Sequence, residues 1–220
     1  MKKLYSVVFI AASGLAATLA SHGAKADEEG NWEVRVRAIY LDPANKSDAI
    51  PALDVPKDAI HINSKTLPEI DFEYFFTPHV SSELVLTYPQ KQTVTVESSA
   101  LGGPTVIGTF KHLPPILTLK YNFLPDGVFR PYVGAGVNFT MLSDVRLAVP
   151  TAPPMALELS RTSVGPAVQG GFDYVLADHW VANLDVKWAM LRANVKYDSA
   201  TIAQVRVDPA LFAVGLGYRF

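Results

Sequence analysis

Apolar and polar residues alternate one by one along eight stretches of this chain, and a period of two restricts them to strands with two unlike faces. Trp32, Val34, Val36, Ala38 and Tyr40 are apolar, while Glu33, Arg35 and Arg37 between them are charged. Ile70-Asp71-Phe72-Glu73-Tyr74 repeats the pattern with acids. Leu84, Leu86 and Tyr88 share a face, and Leu117, Leu119, Tyr121 and Phe123 alternate with Thr118, Lys120 and Asn122. Further sets are Val133, Ala135, Val137 and Phe139, then Val164, Val168, Phe172 and Tyr174. Trp180, Leu184, Val186, Trp188 and Met190 follow, around Asn183, Asp185 and Lys187. The last set is Phe212, Val214, Leu216, Tyr218 and Phe220. No stretch carries a convincing helical period, so the expected class is all-β.

The connections alternate in length. Thr77-Pro78-His79, Pro125-Asp126-Gly127 and Ala177-Asp178-His179 are short turns. Pro43–Lys65, Glu97–Thr105, Pro150–Met155 and Asp198–Ala203 are long, polar or proline-rich. Short turns on one side and long loops on the other describe an eight-stranded antiparallel up-and-down transmembrane β-barrel of the Gram-negative outer membrane. A soluble barrel such as a lipocalin also alternates, with its apolar face inward. Three features favour the membrane. Aromatic residues gather near strand ends, as interfacial girdles do. The apolar sets approach the roughly 9–11 residues of a spanning strand. The chain ends on Phe220, with Tyr218 and Gly215 before it, an ending like the signal read by the barrel assembly machinery.

The N-terminus agrees with export. Met1-Lys2-Lys3 is cationic, Leu4 to Leu19 is mostly apolar, and Ala24-Lys25-Ala26 supplies a small-x-small cleavage pattern. Residues 1–26 are therefore expected to be a signal peptide, too short in its apolar run for a spanning helix, and 27–220 the barrel. Nineteen basic against twenty-one acidic side chains leave a net charge of −2, without the basic excess of a nucleic-acid binder. With no cysteine there is neither a disulfide framework nor a thiolate metal site.

The run Gly108-Thr109-Phe110-Lys111-His112-Leu113-Pro114-Pro115, followed by Leu117-Thr118-Leu119 and Tyr121-Asn122-Phe123, resembles the outer membrane protein W (OmpW) family. Phe129-Arg130-Pro131-Tyr132-Val133-Gly134-Ala135-Gly136-Val137-Asn138 is similar to its next strand. Val207-Asp208-Pro209 and Val214-Gly215-Leu216-Gly217-Tyr218-Arg219-Phe220 are similar to its last. The resemblance implies an eight-stranded barrel for passive uptake of small hydrophobic molecules, with exit sideways through the wall.

An eight-stranded barrel has an interior just wide enough for side chains to fill. The inward positions Glu33, Arg35, Arg37, Glu69, Asp71, Glu73, Glu83, Lys120, Asp173, Asp185, Lys187 and Arg219 carry both signs and are expected to pair into a polar plug. Ile39, Leu41, Met141, Leu157, Leu159 and Leu191 are candidates for an apolar outer funnel, subject to strand register. Pro89, Pro114 and Pro115 lie near the outer ends of the third and fourth strands, where missing donors interrupt a ladder. They are expected to border a lateral gate; the alternative, that they merely mark the places where strands leave the membrane, is supported by Pro68, Pro166 and Pro209 at comparable heights elsewhere.

Enzymatic activity is not expected. His79 and His179 fall in predicted periplasmic turns, His61 in a loop, and His112 has no serine and acid at its height. The isolated histidines do not suit a metal site, and no cofactor is expected. The expected partners are outer-membrane lipid and lipopolysaccharide, the assembly machinery and small hydrophobic ligands, with no nucleic acid. Two other roles share this architecture: a structural or receptor barrel whose loops bind phage, toxin or host molecules, and a channel for small polar solutes.

Overall fold

A computed structural model describes residues 30–100 and 102–220, and the expected signal peptide lies outside them. In chain order the strands are β1 (Trp32–Asp42), β2 (Lys46–Ser47), β3 (Ile60–Ile62), β4 (Lys65–Phe75), β5 (Val80–Leu86), β6 (Gln90–Val96), β7 (Thr105–Leu113) and β8 (Ile116–Asn122). They continue as β9 (Phe129–Val149), β10 (Met155–Leu159), β11 (Thr162–Ala177), β12 (Trp180–Ala189), β13 (Arg192–Tyr197), β14 (Ala200–Arg206) and β15 (Ala210–Arg219). A 3-10 turn, Pro51–Leu53, lies in the long connection between β2 and β3.

Eight of these strands close a ring. The order β1-β4-β5-β8-β9-β11-β12-β15 returns to β1, every neighbour antiparallel. Full closure leaves no sheet edge within the wall, which is what permits strands to cross lipid. The seam between first and last strands is sealed at the periplasmic end, where Trp32 and Phe220 exchange backbone hydrogen bonds of 3.1 and 2.8 Å. The remaining strands prolong the wall beyond the ring. At 21 residues β9 is about twice the length a bilayer needs, and its outer half pairs with β7 and β10.

The alternation predicts the two faces. Val36, Leu119, Val137, Val164, Val214 and Leu216 are exposed on the outside, where lipid covers them. At the short-turn end an aromatic girdle forms, with Trp32 on Tyr74 (4.9 Å), Tyr121 on Phe123 (5.2 Å) and Trp180 on Tyr218 (5.0 Å). Tyr218 and Phe220 point outward in it. Gly215 does not: it lies opposite Arg37, and a Cβ there would come 2.7 Å from Arg37 Cγ. A Cβ on Gly217 would come 2.6 Å from Glu33 Oε1. These two glycines leave the room that the long charged side chains of β1 occupy.

Candidate functional site

The interior is layered along the barrel axis. Lowest is a charged layer. All twelve expected plug residues are buried, and among the described residues no other Asp, Glu, Lys or Arg is. Arg35 pairs with Glu73 and lies 2.8 Å from Glu33, 2.9 Å from Asp173 and 3.3 Å from Glu83. Arg37 reaches Glu69 and Asp71, each at 2.6 Å. Lys120 bridges Glu73 (2.8 Å) and Glu83 (3.0 Å) and lies 3.6 Å over the Tyr132 ring. Lys187 bridges Glu83 (3.0 Å) and Asp185 (2.6 Å). Seven of the eight ring strands contribute a charged residue and β9 contributes Tyr132, so the layer spans the whole section. Sequence reasoning missed the neutral members: Tyr132 donates to Asp185 at 2.8 Å and Asn183 to Asp173 at 2.7 Å. Their polarity carries no charge signal, but their inward parity marks them.

Above the plug sits a thin apolar layer of Ile39, Leu41, Leu67, Val85, Ile116, Ala167, Ala189, Leu211 and Ala213. Ile39 and Leu41 belong here rather than to the funnel above it. The outer compartment is a second apolar cluster enclosing a cavity of about 110 Å³. Its walls come from β3, β6, β7, β9, β10, β13 and β14, with Val94, Phe110, Leu147, Leu157, Leu159 and Val195 among them. Ile50, Leu53 and Val55 of the long first connection also line it, so this segment, expected as an open loop, folds over as a lid. Leu157 and Leu159 thus face the cavity, and Leu191 packs in the surrounding cluster.

Met141 is a correction. The alternation of β9 runs unbroken from Val133 through Phe139, so Met141 stays on the outer face between buried Thr140 and Leu142. Leu142 is the inward residue.

Among the described residues, one interruption of the backbone ladder lies between the β4–β5 pair and the β3–β6 pair. Pairing of β4 with β5 stops at Ile70 opposite Leu86. It resumes between β3 and β6 at Ile62 opposite Val94, with Asn63 N–H donating to Thr93 O at 3.3 Å. Between these points, among the described residues, Ser64–Glu69 and Thr87–Gln92 make no ladder with each other, although the first stays paired with β1 and the end of the second with β7; only the Lys65 ammonium reaches across, to Lys91 O at 3.3 Å. Both edges also exchange their faces here. Leu67 and Glu69 point inward below the break and Ile60 and Ile62 above it, while Val85 gives way to Gln90 and Gln92. Pro68 and Pro89 stand one on each edge, where neither donates a backbone hydrogen.

On the other flank of Pro89, β5 pairs with β8 up to Val85 opposite Ile116, and β6 with β7 from Gln90 opposite His112. The intervening Leu86–Pro89 holds one residue more than Leu113–Pro115 can face, a bulge that bends the strand. Pro114 and Pro115 border this break, yet their other flank is closed by Phe139 N–H donating to Pro115 O at 3.0 Å. The prolines are therefore not equivalent. Pro166 lies in a paired stretch opposite Val137, and Pro209 accepts from Ala189, so neither opens the wall.

A family model described as the OmpW family matches residues 28–220. The chain is 32% identical to Outer membrane protein W of Vibrio cholerae, covering 93% of this chain and 95% of that protein. It is 25% identical to the dibenzothiophene metabolism operon protein PahQ of Pseudomonas aeruginosa, over 88% of this chain and 90% of that one. The crystal structure of the outer membrane protein OprG from Pseudomonas aeruginosa is similar at a TM-score of 0.74 and 28% identity, covering 90% of this chain and 99% of that one.

Proposed function

The chain belongs to the OmpW family and is a barrel of the Gram-negative outer membrane, and from that premise we propose that it is a passive channel for small hydrophobic molecules. A molecule enters the apolar outer compartment beneath the lid, meets the charged layer below, and leaves sideways through the break between Pro68 and Pro89. One observation carries this reading: an apolar cavity stands over a floor of paired charges, beside a wall without a ladder.

The physical argument has three steps. Apolar surface favours the cavity over water by about 25 cal/mol per Å² buried. The plug is ion-paired across the full section, so an apolar molecule crossing it would separate charges already compensated. Backbone groups left without partners in lipid are costly unless they line a cavity, and the broken ladder meets that condition. The relative named for a dibenzothiophene metabolism operon is consistent with apolar cargo. No cofactor and no energy coupling enter the scheme.

Alanine at Pro68 and Pro89 together supplies the missing donors and allows the ladder to close. Cells carrying Pro68→Ala/Pro89→Ala are expected to take up p-xylene several-fold more slowly than cells with the unaltered protein, at equal amounts of folded barrel. Unchanged uptake by the double variant would reject the sideways exit. Alanine at Pro166 serves as the control and leaves uptake unaltered.

A further inference from the structure

Three polar side chains at the junction of cavity and wall break take no part in the plug. Gln90 and Gln92 on β6 and His112 on β7 point inward and are at most 1% exposed. Gln90 stands opposite His112, and Gln92 Nε2 lies 3.3 Å from His112 Nε2. An amide nitrogen only donates, so His112 Nε2 accepts and its Nδ1 carries the ring proton. Gln90 Nε2 is committed to Tyr88 O at 2.7 Å. That leaves Gln90 Oε1, Gln92 Oε1 and His112 Nδ1 without a hydrogen-bond partner among the described residues. Two acceptors and one donor are thus unspent in one corner.

Each unpartnered buried polar group costs about 1–3 kcal/mol, so three together, beside the apolar cavity rather than in its lining, point to a ligand. We propose that Gln90, Gln92 and His112 recognise the hydroxyl group of a small neutral amphipath, an alcohol or a phenol, whose apolar body lies in the cavity above. The proposal rests on the hydrophobic-channel reading and narrows its cargo. A hydroxyl both donates and accepts: its proton goes to a glutamine Oε1 while its oxygen accepts from His112 Nδ1–H. A plain hydrocarbon leaves all three groups unmet, and an ion would have to shed its water against apolar walls.

The position suits such a site. Phe110, which lines the cavity, lies 6.0 Å ring to ring from His112. Gln90 directly follows Pro89, so a hydroxyl held here stands beside the lateral break. The cavity of about 110 Å³ is on the scale of one aromatic ring, since an engineered apolar cavity of roughly 150 Å³ holds benzene.

The test compares p-cresol with p-xylene, which differ by a hydroxyl in place of a methyl, in cells lacking the protein and cells expressing it. The unaltered protein is expected to accelerate p-cresol uptake more than p-xylene uptake. His112→Phe and Gln90→Leu/Gln92→Leu are expected to slow p-cresol about five- to tenfold, the worth of one buried hydrogen bond, with p-xylene unchanged. Equal uptake of both compounds, or an equal loss of both in the variants, would overturn hydroxyl recognition while leaving the channel standing. Acceleration of neither compound by the unaltered protein would instead remove the channel reading itself. A second measurement needs no variant uptake: p-cresol added to the purified barrel shifts the His112 ring nitrogen resonances and p-xylene does not. No shift with p-cresol would also overturn the proposal.

Discussion

Glu83 is the residue on which the plug turns. Its two oxygens serve Lys120 and Lys187 at 3.0 Å each and Arg35 and Arg37 at 3.3 Å each. Removing one partner of a buried ion pair strands the others, at about 3–5 kcal/mol. Glu83→Gln is therefore expected to lower stability by about 3 kcal/mol, read as a fall in the denaturant midpoint of the folded barrel. Adding Lys120→Met removes one stranded cation and recovers part of the loss. A single variant as stable as the parent would mean that the remaining carboxylates compensate fully. The twelve charges of this layer are legible in the sequence because a charge on one face of an alternating strand has few places to go. His112 and the two glutamines are not. Gln90 and Gln92 sit in a polar run, Gln90-Lys91-Gln92-Thr93, whose inward members are distinguished only by register.

At the scale of the strand, legibility ends where the alternation changes phase. The eight ring strands follow from their period, and β9 shows how far the rule extends, since applying it without interruption places Met141 outside. The third strand breaks the rule. Its inward parity passes from Val85 to Gln90 across Thr87, Tyr88 and Pro89, a switch that single-strand periodicity does not reveal. Pro89 signals a missing donor but does not say which neighbour loses the bond. The neighbour proves to be on both flanks, and the opening faces Pro68, whose counterparts Pro166 and Pro209 remain in bonded surroundings. A ladder break exposes its amides to exchange. Hydrogen exchange in a bilayer is expected to be fast at Thr66 and Thr87 and slow at Ile70, Val85 and Ile116. Uniform protection through Thr87 would show the wall to be closed there.

Across the whole molecule, polarity is sorted by height: paired charges at the periplasmic end, a thin apolar layer, the polar corner beside the break, an apolar cavity, and a lid. The lid is the part exposed to the medium, and its fastening is electrostatic. Asp58 accepts the Ser47 N–H at 3.0 Å and stands 3.2 Å from the Lys46 ammonium. The Ser47 hydrogen bond, aided by Lys46 and Lys57, holds its carboxyl below the usual aspartate range. A depressed folded value means that the fastening is complete above the unfolded aspartate pKa, about 3.9, and is lost as pH falls through the lower folded value. His61, the lid's own histidine, faces Glu97 at 3.8 Å with both side chains nearly half exposed, and such a pair contributes little. Uptake of an apolar probe is therefore expected to be flat from pH 5 to about pH 8. In Asp58→Ala the Ile50 and Val55 amides, which bond each other's carbonyls at 2.8 and 3.2 Å, should exchange faster throughout that range. Entry of p-xylene should rise with them if the lid covers the way in. Unchanged exchange at Ile50 and Val55 in Asp58→Ala would reject Asp58 as the fastening.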